Sequence, residues 1–255
     1  MKFEAQPTNN LEKQEEELET EKTPAFKEFL IHQISLPHEE WSKEFKDYIE
    51  KKRNEESEKE SGLEQLSESE LTYKRYLKGL ELTEEELKNK KILDLGCGEE
   101  GEFVKECIDK DLTKEIYGID LEVDPDTFDE KLKDHFFKKE FEDEFPIKNL
   151  DYVISVGALE APSDESDERK PVKILKYALE ALNDKGEIKI YPIRKAPPES
   201  GLEGIEYSRK KWDEIMNEFA SKEDVKYEFN PIDIRVSANN EDVWLEEVLT
   251  IKKKS

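Results

Sequence analysis

A glycine-rich turn between an apolar strand and an apolar helix face constrains the fold more than any other part of the sequence. Residues 91–103 read KILDLGCGEEGEF, and three of the ten glycines of the chain fall within residues 96–101. Glycine permits positive φ and, because it lacks Cβ, lets a ligand approach the backbone closely. The helix that follows begins with unpaired N–H groups. The combination predicts a ligand site at the carboxyl end of a first strand, where open α/β sheets bind ligands.

The chain from residue 91 onward alternates between strand and helix patterns. Apolar strand patterns occur at residues 91–95, 115–120, 135–140, 150–155 and 187–193, and helical patterns separate most of them. Such alternation is typical of a mostly parallel sheet that is covered by helices on both faces. Near the end of the chain, VKYEFNPI and DVWLEEVLTIKK follow each other without a long helix between them. This predicts an antiparallel hairpin that completes the sheet.

Residues 1–68 differ from the core, residues 69–255, and are predicted to form an acidic extension that is partly helical and partly disordered. An apolar stripe at helical spacing runs through the extension: Trp41, Phe45, Tyr48 and Ile49. Because the stripe is too marked for a disordered tail, we expect it to dock against an apolar surface. The rim of the ligand site is the favoured surface, where the extension would act as a lid. A second copy of the chain and a separate protein remain alternatives.

The charge of the chain restricts its partners. Acidic residues number 66 against 41 basic residues, which gives a net charge of −25. Such a field repels polyanions and disfavours nucleic acid, although it is compatible with a local basic patch. The oligomeric state does not follow from the sequence.

Cysteine usage and apolar runs indicate the cellular compartment. The two cysteines, Cys97 and Cys107, match neither a disulfide framework nor a zinc motif, and no metal site is expected. No apolar run approaches the roughly 18–20 residues of a membrane helix. The first residues also lack the apolar stretch of a signal peptide. We therefore expect a cytoplasmic protein that does not associate with a membrane.

Two aspartates at predicted strand ends distinguish between ligands. Asp94 lies two residues before the first glycine, where a carboxylate suits a cationic amino group better than a pyrophosphate. Asp120 ends the next strand, where a carboxylate can accept hydrogen bonds from ribose hydroxyls. The acidic pair Glu99 and Glu100 would also oppose a diphosphate over the turn. A dinucleotide nevertheless satisfies the glycine spacing, so an NAD-dependent oxidoreductase stays open as an alternative.

Over residues 70–255, the ordered set of motifs resembles the class I S-adenosylmethionine-dependent methyltransferases. ILDLGCGEEGEF is similar to the glycine-rich first motif of the family, and IYGIDLE is similar to the second. LDYVIS resembles the fourth strand, and ALEALNDKGEIKIYPI resembles the helix, turn and fifth strand. The resemblance implies a Rossmann-like seven-stranded sheet in the order 3-2-1-4-5-7-6, with strand seven antiparallel. It also implies S-adenosyl-L-methionine as cofactor and methyl transfer to a small-molecule or protein acceptor.

The resemblance implies a cofactor site within residues 69–255, the methyltransferase domain. The residues that it assigns to the cofactor are Asp94, Gly96, Cys97 and Gly98 around the methionine moiety, Asp120 at the ribose, Leu121, Glu140 or Glu142, and Phe141 at the adenine, and Ser155 beneath the methyl group. One departure from the family pattern concerns Gly101. It follows Gly98 by three residues where the family usually has two, so its contact with the cofactor is open.

No residue is predicted to be catalytic. Methyl transfer from a sulfonium requires alignment and exclusion of water, and it needs a base only when the nucleophile arrives protonated. Tyr73 and Arg75 precede the core where related enzymes close a helix over the cofactor, and Arg75 is a candidate partner of the methionine carboxylate. Glu160 is a candidate on the acceptor side, and the basic pairs within residues 194–212 would attract an acidic acceptor. A surface role remains the alternative for each, and a catalytically silent scaffold remains the alternative for the whole domain.

Overall fold

The computed structural model describes residues 23–61, 67–161, 169–237 and 242–254. The helices are α1 Pro24–Ile34, α2 Lys43–Ser61, α3 Glu68–Gly79, α4 Glu84–Leu87, α5 Glu102–Asp109, α6 Arg169–Ala181 and α7 Glu203–Lys222. The strands are β1 Lys91–Leu95, β2 Glu115–Asp120, β3 Phe136–Lys138, β4 Leu150–Val156, β5 Leu182–Lys195, β6 Val225–Val236 and β7 Val243–Lys253. Within the described ranges, no helix is long and apolar enough to span a membrane.

The seven strands form one sheet in the order β3-β2-β1-β4-β5-β7-β6. The pairs that join β1, β2, β3, β4 and β5 are parallel, whereas β7 is antiparallel to both β5 and β6. The predicted fold class and strand order are therefore confirmed. The chain order reverses at β1, with β2 on one side and β4 on the other. Open α/β sheets bind ligands at the carboxyl end of such a switch point.

Two hydrophobic clusters cover the two faces of the sheet. Leu93 and Val153 belong to one cluster, together with residues of α6 and α7. Ile92 and Ile154 belong to the other, together with residues of α3 and α5. Because neighbouring residues of a strand point to opposite faces, the inner strands are buried on both sides. This explains why the strand segments appear in the sequence as nearly continuous apolar runs.

The two helices directly before β1, α3 and α4, begin with capping boxes. Ser67 and Glu70 bond to each other's backbone N–H groups at the start of α3. Thr83 and Glu86 do the same at the start of α4, as the sequence pattern predicts. The cap formed by Ser67 and Glu70 fixes the residue at which α3 begins. Helix α3 is the helix that reaches the glycine turn.

The N-terminal helices dock on the β6–β7 hairpin and not on the rim of the glycine turn. A third hydrophobic cluster joins the two surfaces. It contains Leu30, Ile34, Trp41, Phe45 and Ile49 from the two N-terminal helices and the segment between them, and Ile234, Val236, Val243 and Leu245 from the hairpin. Two strands, β4 and β5, lie between this hairpin and β1. The expectation that the stripe is buried is confirmed, and its expected position is wrong. β6 continues to Val236, past the segment that its sequence pattern indicates, and together with β7 it presents the apolar surface that the stripe covers. Residues 1–22 lie outside the described part of the chain.

Candidate functional site

The glycine turn begins directly after Leu95 and folds tightly against two neighbouring strands. A Cβ atom on Gly96 would lie 1.9 Å from the Cβ of Ala158, so this position tolerates no side chain. The N–H groups of Gly96 and Cys97 donate to the carbonyl of Ile119 at 2.8 and 3.4 Å. At Gly98, by contrast, no atom of the described residues other than its chain neighbours lies within 4 Å of the position that a Cβ would occupy. Gly98 is thus the open part of the turn, where a ligand would reach the backbone.

Gly101 has a different role from the two glycines before it. It is the N-cap of α5, with φ of 58°, a left-handed conformation. A Cβ here would lie 2.2 Å from the ring of Phe136 on β3. This conformation places Gly101 beneath the start of the helix, against the sheet. Its predicted contact with a cofactor stays a prediction.

The carboxylate of Asp120 anchors the turn to the end of β2. Its Oδ2 accepts a hydrogen bond from the N–H of Gly98 at 2.9 Å, and its Oδ1 accepts one from the N–H of Glu122 at 2.9 Å. The next residue, Leu121, is 56% exposed, and among the described residues it is one of three large apolar side chains that are exposed. The end of β2 thus presents a fixed acid beside an uncovered apolar side chain.

Asp94 is completely buried at the end of β1. The hydroxyl of Tyr76 donates to its Oδ1 at 3.4 Å, whereas its Oδ2 has no hydrogen-bond partner among the described residues. Burial, together with the charge of Asp120, raises the pKa of Asp94 to about 8, and the hydrogen bond from Tyr76 opposes this shift. The carboxyl group is therefore mostly protonated at neutral pH until a cation approaches it.

Helix α3 covers the turn from one side. Tyr76 stacks on Phe103 of α5 with ring centroids 4.3 Å apart. Arg75 is exposed, and its Nη2 lies 3.5 Å from the position that a Cβ on Gly157 would occupy, just beyond β4. Tyr73 and Arg75 were predicted from the sequence, whereas Tyr76 was not. The available signal was the spacing of three residues from Tyr73, which places both tyrosines on one helix face.

The structure brings only some of the other predicted residues to the turn. Phe141 is half-buried, and its Cζ lies 3.6 Å from the position of a Cβ on Gly96. Glu140 is exposed to solvent, whereas Glu142 lies 3.8 Å from Lys170. The hydroxyl of Ser155 is buried and donates to the carbonyl of Leu95 at 2.9 Å, so it ties β4 to β1.

Two further predicted residues have surroundings that do not favour a chemical role. Cys97 is buried, and burial raises the pKa of its thiol, which keeps it neutral and poorly nucleophilic. Glu160 is exposed. Within the part of the chain that the structure describes, no group of three or more His, Cys, Asp or Glu residues is arranged to hold a metal ion.

Tyr191 was not predicted, and it connects the end of β4 to the hairpin strands. It pairs with Val156, and its carbonyl accepts the N–H of Gly157 at 2.8 Å. Its ring packs so closely on α3 that a Cβ on Gly79 would lie 2.4 Å from it. Its hydroxyl donates to the buried Glu246 of β7. Tyr191 on β5 and Gly79 on α3 thus form a close contact between the helix and the sheet.

A cavity of about 240 Å³ lies where the N-terminal segment meets the loop after β5. His38 and Trp41 form one wall, and Pro197 and Pro198 form part of the other. The N-terminal segment therefore shapes the loop that follows β5, although it does not reach the glycine turn.

Solved structures of methyltransferases resemble the chain at low sequence identity. A TehB-like SAM-dependent methyltransferase from Corynebacterium glutamicum is 19% identical, with 73% of this chain and 98% of that chain covered and a TM-score of 0.42. The methyltransferase domain of bacterial CtHen1-C is 16% identical, with 66% and 91% covered and a TM-score of 0.43. Precorrin-6y C5,15-methyltransferase from Geobacter metallireducens is 13% identical, with 76% and 93% covered and a TM-score of 0.41. No protein-family model matches the chain, and no curated protein matches it. The fold assignment rests on the strand order of the chain itself.

Proposed function

We propose that the protein is an S-adenosylmethionine-dependent methyltransferase. The observation that carries the proposal is the pair of unlike carboxylates on either side of the glycine turn. Asp94, at the end of β1, is buried and has an unpartnered oxygen, whereas Asp120, at the end of β2, is accessible and fixed by backbone N–H groups. A ligand with a cationic amino group and a ribose complements both acids.

The residues present fit the methionine end of this cofactor. An ammonium group would supply the donor that Oδ2 of Asp94 lacks, and it would favour the charged form of the carboxyl group. The open backbone at Gly98 leaves room for the chain of the cofactor. Arg75, beside Gly157, offers a guanidinium to the carboxylate of the methionine moiety.

The nucleoside end fits the neighbouring strand end. Asp120 holds its oxygens toward the turn and has acceptor capacity left for ribose hydroxyls. Leu121 and Phe141 supply apolar surface for an adenine ring, one from each side of this region. Exposed acids at Glu99 and Glu100 disfavour a dinucleotide, whose pyrophosphate would have to lie over the same turn.

When bound, the cofactor supplies an electrophilic methyl group on a sulfonium. The chain binds and orients it through the two aspartates and the turn, and α3 excludes water from one side through the stacked Tyr76 and Phe103. No side chain is assigned as a base, because alignment and desolvation suffice for an acceptor that arrives deprotonated. We propose a small molecule as the acceptor class.

Calorimetry on the full chain tests the proposal. We expect S-adenosylmethionine and S-adenosylhomocysteine to bind and NAD to bind much more weakly or not at all. Tighter binding of NAD would overturn the proposal in favour of an oxidoreductase. Mass spectrometry of cell extract incubated with the protein and isotope-labelled S-adenosylmethionine then identifies the acceptor. Binding without labelling of any small molecule or protein would leave a scaffold, not an enzyme.

A further inference from the structure

One carboxylate on the β6–β7 hairpin pairs with lysines of two different helices. Asp233 of β6 is buried, and its Oδ2 accepts a hydrogen bond from Nζ of Lys78 on α3. Its Oδ1 lies 3.5 Å from Nζ of Lys52 on α2. Burial alone would raise the pKa of Asp233, but Lys78 and Lys52 together lower it. We refer to Lys52, Asp233 and Lys78 as the ion-pair bridge, because they join an N-terminal helix to α3 across the hairpin.

The C-terminal end of α3 is held at further points besides its contact with Tyr191. The buried Lys189 of β5 donates a hydrogen bond to the carbonyl of Leu80, directly after the helix, at 2.9 Å. A cation suits this place, since the last carbonyls of a helix carry partial negative charge. Lys27 of α1 pairs with Glu81, one residue further along. The end of α3 is thus fixed to the sheet and to both N-terminal helices.

The same helix reaches the proposed cofactor site with the two residues that precede this anchored end. The hydroxyl of Tyr76 donates to Oδ1 of Asp94 at 3.4 Å, and Arg75 lies beside Gly157. Lys78 follows Tyr76 by only two residues, so a shift of the bridged end of α3 also moves the tyrosine. A hydrogen bond of 3.4 Å is already long. A small displacement of α3 away from the sheet is therefore enough to break it.

We propose that Asp233 is a positioning residue for the cofactor site, which holds α3 between the hairpin and α2 and thereby places the Tyr76 hydroxyl on Asp94. This proposal rests on the proposed function, because it concerns the carboxylate that is assigned to the amino group of the cofactor. The charge of Asp233 keeps the ammonium groups of Lys78 and Lys52 close together. Without that charge the two groups repel each other, and α3 loses an anchor. The N-terminal helices thus act on the cofactor site through α3.

Two substitutions at the ion-pair bridge separate positioning from a direct effect of charge. Asp233→Asn removes a negative charge and Lys78→Gln a positive one, so a direct effect through space would lower the pKa of Asp94 in the first variant and raise it in the second. Positioning predicts a raised pKa in both, because both variants weaken the hydrogen bond from Tyr76 that lowers it. The substitutions leave unchanged the other titratable groups that interact with Asp94, which are Asp120, Cys97 and Cys107.

An NMR titration of the full chain, followed at the carboxyl carbon of Asp94, measures this pKa. We expect its midpoint, at about pH 8 in the unaltered chain, to move to higher pH in Asp233→Asn and in Lys78→Gln alike. Calorimetry should show affinity for S-adenosylhomocysteine about two- to tenfold lower in both variants. Asp233→Glu keeps the charge and should recover most of this loss.

Asp224→Asn is the matched control for the ion-pair bridge. Asp224 is exposed just before β6, at the other end of that strand, and its Oδ1 lies 3.6 Å from Nζ of Lys254. The control variant also loses one acid that is paired with a lysine, but α3 keeps its anchor. The midpoint of Asp94 and the affinity for S-adenosylhomocysteine should both stay as in the unaltered chain.

A double-mutant cycle with Tyr76→Phe identifies the path of the effect. The hydrogen bond to Asp94 is already absent in Tyr76→Phe, so adding Asp233→Asn should raise the midpoint of Asp94 no further. A further rise in the double variant would overturn the proposal, as would opposite shifts in Asp233→Asn and Lys78→Gln or an unchanged midpoint in both.

The two readouts separate this proposal from the one on which it rests. A raised midpoint in both bridge variants, in a chain that does not bind S-adenosylhomocysteine, would reject the methyltransferase function and keep the role of Asp233 in placing Tyr76. Normal binding of S-adenosylhomocysteine with opposite shifts of the midpoint would reject only the positioning role.

Discussion

The hydroxyl of Tyr76 lies 3.4 Å from Oδ1 of Asp94 and joins the helix before the sheet to the carboxylate at the end of β1. This hydrogen bond lowers the pKa of Asp94, whereas burial and the charge of Asp120 raise it. Tyr76 is itself held by its stacking on Phe103. The ionisation of Asp94, and with it the affinity for a cationic ligand, is therefore set partly by the position of α3.

Tyr76→Phe isolates the hydrogen bond because it keeps the ring and its stacking. The pKa of Asp94 should rise further, so a smaller fraction of the carboxyl group is ionised at pH 7. We expect affinity for S-adenosylmethionine to fall by about two- to tenfold, which corresponds to a hydrogen bond of about 0.5–1.5 kcal/mol. Calorimetry measures the change. Tyr207→Phe is the matched control, because Tyr207 is exposed on α7. An equal loss of cofactor affinity in both variants would contradict the role of the Tyr76 hydroxyl as a hydrogen-bond donor to Asp94.

Cofactor binding should depend on pH through Asp94. Its raised pKa, about 8, means that the free protein carries a protonated carboxyl group below that pH. The α-amino group of the ligand is that of a free amino acid, and the neighbouring carboxylate keeps its pKa above the roughly 7.7–8.0 of a chain N-terminus, so the group is charged at and below pH 8. Formation of the carboxylate–ammonium pair then releases one proton below about pH 8. Affinity for S-adenosylhomocysteine should therefore rise as the pH increases to about 8 and change little just above it.

Calorimetry in two buffers of different ionisation enthalpy measures the proton release at about pH 7. The Asp94→Asn variant should bind the cofactor more weakly, and its affinity should no longer decrease as the pH falls below about 8. If the affinity of this variant and that of the unaltered chain decrease equally at low pH, another group is responsible.

Asp120→Asn is expected to weaken cofactor affinity by about 10- to 100-fold, since charge-assisted hydrogen bonds contribute roughly 1.5–3 kcal/mol. Asparagine keeps one oxygen to accept the N–H of Gly98, so the turn should persist. Asp184→Asn is the matched control, because Asp184 is exposed near the start of β5, at the opposite end of the sheet. Calorimetry gives the affinities, and unfolding in urea checks the fold. Unchanged affinity in Asp120→Asn would mean that the ribose acid is misassigned.

Gly98→Ala and Gly101→Ala should separate binding from folding within one turn. Both glycines have positive φ, which costs alanine about 1–2 kcal/mol. At Gly101 the new methyl group also meets the ring of Phe136, so we expect a loss of about 2–5 kcal/mol of unfolding free energy. At Gly98 the methyl group meets open space, so stability falls less while cofactor binding falls more. The reverse order in urea unfolding and calorimetry would contradict the roles given to the two glycines.

Local patterns in the sequence were sufficient to predict the sheet and the turn. The glycine spacing, the apolar runs and the acids Asp94 and Asp120 are all read within a few residues. The strand order was implied by the resemblance of the ordered motifs to the methyltransferase family. The hydrogen bond from Tyr76 to Asp94 depends on the position of α3 relative to the sheet. This position cannot be predicted from the local sequence pattern of either element. The hydrogen bond from Tyr191 to Glu246 likewise joins two residues that are 55 positions apart in the chain.

The docking position of the N-terminal stripe could not be predicted for a related reason. Its apolar spacing shows that one helix face is buried, but not against what. The partner surface exists only because β6 continues to Val236, beyond the segment that its pattern indicates, and there pairs with Val243 of β7. The surface that the stripe covers therefore depends on the tertiary fold of the hairpin and not on the sequence of the stripe.

Phe45→Ala tests whether the N-terminal helices are part of the cooperative fold. Phe45 is fully buried, with its ring centroid 4.9 Å from that of Trp41 and in the cluster that covers Ile234 and Leu245. Loss of a buried phenylalanine costs about 3–5 kcal/mol. If the segment unfolds together with the sheet, that loss should appear in urea unfolding followed by circular dichroism and by tryptophan fluorescence alike. Leu71→Ala, at a position 48% exposed on α3, is the control and should cost about 0.5 kcal/mol or less. A two-step transition, in which only the first step moves in Phe45→Ala, would instead identify the N-terminal helices as a separately folding module.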